Sequence, residues 1–345
     1  MKIITKHLQG EGLRARAMRG SVWAIAGYGI SQVLRLAANL ILTRLLFPEA
    51  FGMMALVTVF MQGLMMFSDI GIGPSIMQSK RGDDPDFLNT AWTIQVIRGF
   101  CLWLVACVIA IPISRFYGEP QLAELIPAVG LGLLITGFNP TRLETGHRHM
   151  HLGRISFIQI IAQFIGVIAA IFLAYTTGSV WAFVISGIIG TLIYLALLNI
   201  YLPGARNHFR WEKTAVKELI TYGKWIFLST VSGFLFMQSD KLILGKFLTI
   251  EALGVYNVGY FLASFPLLLS TTVIHKILIP LYRERPPAAS VENYQNLRKM
   301  RFFVSASILS LLMVFAFFGA SLINILYDVR YQNAGAIVVL TACMQ

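Results

Sequence analysis

Residues 39–53 read NLILTRLLFPEAFGM, and residues 241–255 read KLILGKFLTIEALGV. Each copy is an apolar run that ends at a basic residue, Arg44 or Lys246, and is followed by Glu-Ala-x-Gly at 49–52 or 251–254. The offset of 202 residues also pairs Trp23 with Trp225 and Leu40, Ile41, Leu42 and Leu46 with Leu242, Ile243, Leu244 and Leu248. Self-similarity at a fixed offset is the mark of a duplicated architecture. The first copy reads as the outer half of a membrane helix, with Arg44 reaching back to the surface. Pro48, Glu49 and Gly52 then form a tight turn into a second helix.

The surrounding chain supports that reading. Of its 345 residues, 57% are hydrophobic and 13% charged, and the mean hydropathy is +0.70. Soluble domains carry about 25% charged residues. The apolar residues fall in blocks at about 21–46, 51–72, 90–112, 122–139, 154–175, 179–202, 220–248, 253–275, 302–326 and from 335 to the end. Each is read as long enough to cross a hydrocarbon core of about 30 Å as a helix, giving about ten transmembrane helices. The expected fold is an all-α polytopic membrane protein.

The repeat offset contains six of these blocks. An even number preserves orientation, so the repeats are expected to be parallel and related by an axis along the membrane normal. This gives a basic N-terminus over 1–20, a first lobe over 21–205 and a second lobe over 206–345. The second lobe holds four blocks where the first holds six, and the last block is still apolar at Gln345. The chain is therefore expected to be cut short within that lobe. The N-terminal 20 residues carry five Lys/Arg, and the first block is too long for a cleaved leader, so that block is expected to remain as a helix.

A net charge of +12 would suit a nucleic-acid ligand only if the basic residues shared one solvated surface. Instead they alternate. With the N-terminus and the even-numbered loops on one side, that side holds 21 of the 28 Lys/Arg, and the other side holds Arg44, Arg115, Lys246 and Arg330. The positive-inside rule makes the rich side cytoplasmic. The charge encodes topology, with contact to anionic lipid as a by-product. Cys101, Cys107 and Cys343 lie in apolar blocks without CxxC spacing and read as packing residues.

Several stretches resemble one family. RARAMRGSVWAIAGYGISQVLRLAANLILTRLLFPEAFGMMAL, SDIGIGPSIMQSKRGDDPDFLNTAWTIQ, TTGSVWAFVISGIIG and ELITYGKWIFLSTVSGFLFMQSDKLILGKFLTIEALGVYNVGYFLASFP are similar in order and spacing to Wzx-like oligosaccharide flippases. These form the polysaccharide transporter branch of the multidrug/oligosaccharidyl-lipid/polysaccharide (MOP) superfamily. The likeness runs from about Leu13 to Leu281; relatives tend to show Arg and Phe where this chain has HRHMH at 147–151. The resemblance implies two six-helix lobes around a central cavity that opens alternately to either side. It also implies transfer of polyprenyl-pyrophosphate-linked oligosaccharide from the cytoplasmic to the periplasmic leaflet of the bacterial inner membrane. Polysaccharide polymerase or assembly proteins would be partners and nucleic acid would not. No cofactor is implied, and a coupling ion would be H⁺ or Na⁺.

Such a task needs a polar path through hydrocarbon and positive charge for a pyrophosphate. An intramembrane Arg or Lys costs about 2.5–3.5 kcal/mol unless it faces that path. Three cations qualify. Arg35 lies near the middle of the first block, and Gln32, Asn39 and Thr43 share its helical face, as a cavity lining or as an interhelical hydrogen-bond ladder. Lys241 holds the repeat position of Asn39, with Met237 at that of Arg35, and either faces the cavity or snorkels outward. Arg98, a turn beyond Gln95, carries the same two readings. Asp240 is a coupling-ion candidate, a salt-bridge partner or a packing group. Asp69 orders a loop or acts in a gate. Gln159 and Gln163 line the cavity or bond between helices.

His147, His149 and His151 have no carboxylate or cysteine at ligand spacing, so no metal site is expected. The acidic run GDDPD at 82–86 reads as a solvated turn. A membrane enzyme of polysaccharide biosynthesis would need paired carboxylates or a metal at an interface and a large external loop, which the sequence lacks. A drug or small-molecule exporter of the same superfamily would favour acidic and aromatic lining for organic cations.

Overall fold

A computed structural model describes residues 13–69, 71–274, 278–284 and 286–345; the side chains of 13–25, 220–229, 280, 283 and 284 lie outside the description. Each expected apolar block is helical. In chain order the helices are α1 (Leu13–Leu45), α2 (Pro48–Phe67), α3 (Ile72–Gln78), α4 (Pro85–Tyr117), α5 (Leu122–Gly137), α6 (Arg142–Arg148) and α7 (Leu152–Thr177). They continue with α8 (Trp181–Tyr201), α9 (Lys213–Phe247), α10 (Ile250–Ala263), α11 (Phe265–Val273), α12 (Ile279–Glu284), α13 (Val291–Leu326) and α14 (Ala334–Met344). No strand occurs among the described residues.

The chain is an all-α polytopic membrane protein. Pro48–Phe67, Pro85–Tyr117, Leu152–Thr177, Trp181–Tyr201, Ile250–Val273 and Val291–Leu326 are each long and apolar enough to span a bilayer by length and composition. Their outer faces carry side chains that water would not tolerate in such numbers, including Val108 at 73% exposure, Phe172 at 64% and Phe317 at 75%.

Hydropathy places the helices but not their ends, because helices continue into polar flanks until a cap stops them. The third block, expected over 90–112, extends to 85–117. Asp84 starts α4 by accepting from Asp86 N at 3.1 Å, Pro85 fills the first turn, and Gly118 ends it at φ 75°. The second block, expected to reach 72, stops at Phe67, and after a break α3 begins at Ile72. The eighth block, expected as one helix over 253–275, divides at Ser264 ahead of Pro266. The segment 140–154, expected as a loop, contains α6.

By contact the chain forms two compact units, the described residues through Leu46 with Met53–Thr249, and Phe47–Gly52 with Ile250–Gln345. In the first unit α4 packs on α5, α1 on α7, α7 on α8, and α5 on α8. Helices α7 and α8 approach closely at Gly166 and Gly190, where a methyl group added to Gly166 would sit 3.6 Å from Gly190 Cα. Below, Ile72, Ile76, Phe87, Ala91, Ala215 and Leu219 form a buried cluster that joins α3, α4 and the start of α9.

In the second unit the two copies of the repeat motif meet. A Cβ built on Gly52 would overlap Ile250 O and lie 3.0 Å from Gly254 N. A Cβ built on Gly254 would overlap Pro48 O and lie 3.0 Å from Gly52 N. Ile250 is the repeat equivalent of Pro48, and Gly254 of Gly52, so the contact is reciprocal, as a two-fold relation requires. Phe51 meets the fully buried Tyr331 edge-on at 6.0 Å, and Arg330 lies over Phe47 at 5.2 Å.

Candidate functional site

The polar face of α1 straddles two environments. Gln32 is 6% exposed, with no hydrogen-bond partner on Oε1 among the described residues. Thr43 is buried and donates to Leu40 O at 3.1 Å. Asn39 is half-buried, whereas Arg35 is exposed. Between Ile30 and Gln32, Ser31 forms a reciprocal pair with Gln163 of α7: Ser31 Oγ donates to Gln163 Oε1, and Gln163 Nε2 donates to Ser31 O at 2.9 Å. Sequence reasoning missed Ser31, since one serine in an apolar block gives no periodic signal.

Arg98 turns to the break after α2. Its Nε donates to Ser68 Oγ at 3.1 Å, and its Nη1 lies 3.9 Å from Asp69 Oδ1. Asp69 Oδ1 also accepts from Gly71 N at 2.8 Å and so shapes that break. Gln95, one turn earlier, donates toward the carbonyls of Thr136, Gly137 and Asn139 at 3.1–3.3 Å, the end of α5 where helical carbonyls lack partners.

On α9, Lys241 Nζ lies 3.4 Å from Gln238 Oε1, and Gln238 Nε2 donates to Gln62 Oε1 of α2. The lysine thus joins a polar chain between two membrane helices, through two glutamines that sequence reasoning missed. Asp240 and Lys241 are both half-buried. At the next residue Tyr117 OH donates to Leu242 O at 3.1 Å, and further along α9 Lys246 Nζ donates to Phe116 O while lying 4.5 Å over the Phe116 ring. Trp23 and Trp225, paired by the repeat, have side chains outside the described set.

A cavity of about 540 Å³ opens among α1, α5, α7 and α8 of the first unit. Gln159 and Gln163 line it together with Thr136, Asn139, Thr191 and Tyr194. Toward the other end of α7 the lining turns apolar, through Val167 and Ala170, with Phe183 of α8. Arg35, Arg98 and Lys241 are not part of this lining. The structure therefore brings the two glutamines of α7 to one cavity and leaves the three cations elsewhere.

The basic segment at 140–154, whose charge reads in the sequence as a topological signal, is built into the first unit. Arg142 is 8% exposed and donates to Leu202 O and Asn199 Oδ1, each at 3.0 Å. Arg148 donates to Ile76 O, Met77 O and Ser79 O at 2.7–3.1 Å, holding the C-terminal carbonyls of α3, and pairs with Asp83 at 3.2 Å. His149 meets the same Asp83 at 2.8 Å. Asp86 pairs with Arg210 at 3.3 Å, and Arg81 bridges Asp84 and Glu212. The acidic turn at 82–86 is solvated, with Asp83 and Asp86 half exposed, and also pairs with the basic segments. Glu144 is packed against Gly73, and burial pushes its carboxyl above the usual carboxylate range while His147 opposes that shift.

The comparisons with known proteins follow this architecture. The family described as "Polysaccharide biosynthesis protein" matches residues 41–335. The lipopolysaccharide biosynthesis protein WzxC of Escherichia coli (strain K12) is 22% identical over 321 residues, 90% of this chain and 62% of that protein. The succinoglycan biosynthesis transport protein ExoT of Rhizobium meliloti (strain 1021) is 21% identical over 245 residues, 70% of this chain and 49% of that protein. The chain spans about half to three-fifths of the length of the curated relatives it matches. Among solved structures, an inward-facing multidrug resistance MATE family transporter of the MOP superfamily superposes with a TM-score of 0.60 at 16% identity, covering 92% of this chain and 82% of that one. At that identity the likeness speaks to fold alone.

Proposed function

Since this chain belongs to the family of polysaccharide biosynthesis proteins, we propose that it is part of a flippase for polyprenyl-pyrophosphate-linked oligosaccharide. The observation that carries the reading is chemical. Inside helices made almost wholly of apolar residues, the chain retains three cations, Arg35, Arg98 and Lys241, and its first unit holds a cavity in which Gln159, Gln163 and Asn139 stand among apolar side chains. Ionisable residues within membrane spans are costly and mark substrate or ion paths. A glycan on a pyrophosphate needs both a wet polar surface and positive charge, and it needs no bond broken.

The relatives' names support the pathway, since one is named for lipopolysaccharide biosynthesis and another for succinoglycan transport. The fold supports alternating access between two six-helix lobes. The charge alternation supports a cytoplasmic N-terminus in a bacterial inner membrane. Polysaccharide polymerase or assembly proteins would take the glycan onward. Asp240, beside Lys241, is the candidate carboxylate for H⁺ or Na⁺ coupling.

A drug exporter on the same fold is the second reading, because the superposed structure is a multidrug transporter. Three intramembrane cations against the single carboxylate Asp240 favour an anionic ligand over an organic cation. The deciding experiment reconstitutes the full-length protein and follows lipid-linked oligosaccharide across the bilayer. Transfer supports the flippase; protection of cells against toxic cations, without transfer, would replace it with the exporter.

A further inference from the structure

We infer that Arg81, Asp84 and Glu212 form an ionic latch that holds the first turns of α9 against α3 and α4, and that α9 opens from them when the latch is released. Two helix starts meet at this point. Asp84 caps α4, and Glu212 is the residue immediately before α9. Arg81 joins them, its Nε donating to Asp84 Oδ2 at 2.9 Å and its Nη2 to Glu212 Oε2 at 2.7 Å. Each carboxylate sits at the positive end of its own helix, so a guanidinium placed between two such ends is held there by the carboxylates alone. A second tie lies beside the first: Arg81 N donates to Ser79 Oγ at 3.0 Å, and Ser79 Oγ donates to Glu218 Oε1 of α9 at 2.7 Å. Behind these bonds lies the apolar cluster of α3, α4 and α9, with Arg81 5.6 Å over the ring of Phe87. Ala215 and Leu219, the part that α9 contributes, are fully buried only while α9 is held.

The chain just before the latch is fastened by different chemistry. His208 N donates to Asn89 Oδ1 at 3.1 Å, Asn207 Nδ2 to the same oxygen at 3.3 Å, and Arg210 N to Thr93 Oγ1 at 3.0 Å. These bonds are neutral, and Asn89 and Thr93 are buried in α4. The side chains of Arg81, Asp84 and Glu212 are each about one-third exposed, at 33%, 35% and 28%. Salt screens partly exposed charges over a Debye length of about 8 Å at physiological ionic strength, and leaves neutral buried bonds almost untouched. The connection is therefore firm as far as Arg210 and held by screenable charge from Glu212 onward, which places the hinge of α9 at Trp211. The bond between them, with Asp84 adding to the effect on the arginine, holds Arg81 above its usual pKa and Glu212 below the usual carboxylate range. Both stay charged around neutrality, so the latch answers to ionic strength rather than to pH. The role of such an opening, as a release of α9 during transfer of the lipid-linked glycan, rests on the flippase reading.

The buried Ala215 supplies a reporter. The full-length protein, freed of its native cysteines, carries Ala215→Cys in lipid nanodiscs, and modification by a water-soluble maleimide is timed. A thiol at this position reacts only when the first turns of α9 leave the cluster. Arg81→Glu and Glu212→Arg are each expected to accelerate the reaction about tenfold, since each turns an attraction into a repulsion. Combined, they exchange the two charges and should bring the rate back to within about threefold of the parent. Raising the salt from about 0.05 to 0.5 M should accelerate the parent and leave Arg81→Gln unmoved. The inference is overturned if Arg81→Glu labels as the parent does, if the exchanged pair fails to recover, or if salt leaves the parent's rate unchanged. The salt series needs no substitution in the latch, so it decides the matter even where a charge reversal unfolds the protein. Labelling that follows the charges, in a protein that transfers no lipid-linked glycan, removes the flippase reading and leaves the latch; intact transfer with labelling indifferent to charge removes the latch alone.

Discussion

Gly52 and Gly254, 202 residues apart and equivalent in the repeat, pack backbone against backbone, and each excludes any side chain at the other's turn. A β-carbon on either would overlap a main-chain carbonyl oxygen, which cannot rotate away as a flexible side chain can. Gly52→Ala and Gly254→Ala are each expected to destabilise the protein by about 2 kcal/mol or more, as strain at a close backbone contact does. Because the two share one contact, the double substitution should cost less than the sum. Thermal melting in detergent, run as a double-mutant cycle, checks both statements; strict additivity would mean that the turns do not touch.

Arg142 should behave as a structural residue despite its place in a basic loop. Removing it leaves the buried Leu202 O without its donor, and releases Asn199 Oδ1 at the surface. A hydrogen bond from a charged group contributes about 1.5–3 kcal/mol, so Arg142→Ala is expected to lose about 2 kcal/mol of stability, through the Leu202 carbonyl above all. Arg154→Ala, exposed in the next helix, should lose little. Equal melting temperatures for the two variants would contradict the burial.

Glu144 gives a pH dependence whose sign is fixed. Burial raises its folded pKa above the unfolded value, and His147 only partly offsets this. As pH rises past the ordinary glutamate value of about 4.3, the unfolded chain gives up the proton first and the folded form loses stability until the folded value is passed. Stability from this group is therefore full in acid and reduced at neutral pH. Glu144→Gln should flatten the melting temperature against pH in that window and raise it near neutrality. An unchanged slope would show that the carboxyl is solvated.

Arg35 is expected to matter through its charge. In the reconstituted full-length protein, Arg35→Ala should reduce transfer of lipid-linked oligosaccharide at least tenfold, while Arg35→Lys, which keeps a cation for the pyrophosphate, should retain most of it. Full transfer by Arg35→Ala would remove this residue from the substrate path.

The helices were legible because hydrocarbon sets a minimum apolar length and the sequence meets it block by block. Their ends were not, because Asp84, Pro85 and Gly118 act one residue at a time, outside the apolar run that hydropathy measures. The break at 68–71 was visible only as glycines and a proline. The cavity was half legible. Gln159 and Gln163 stand at i and i+4 and announce one face, whereas Thr136, Asn139 and Thr191 are single polar residues on two other elements, and only folding brings them together. Arg142 looked like a topological charge because a sequence does not show which carbonyls will surround a loop.

The reciprocal bonds between Ser31 and Gln163 act as a pin. Sliding α1 along α7 by one residue would break both at once. Any conformational cycle must then carry these two helices as one rigid piece, and with them the cavity wall that they share. The turn after α2 is tied in its own way, since Arg98 of α4 donates to Ser68 and faces Asp69, so α2 and α4 are also coupled at that end.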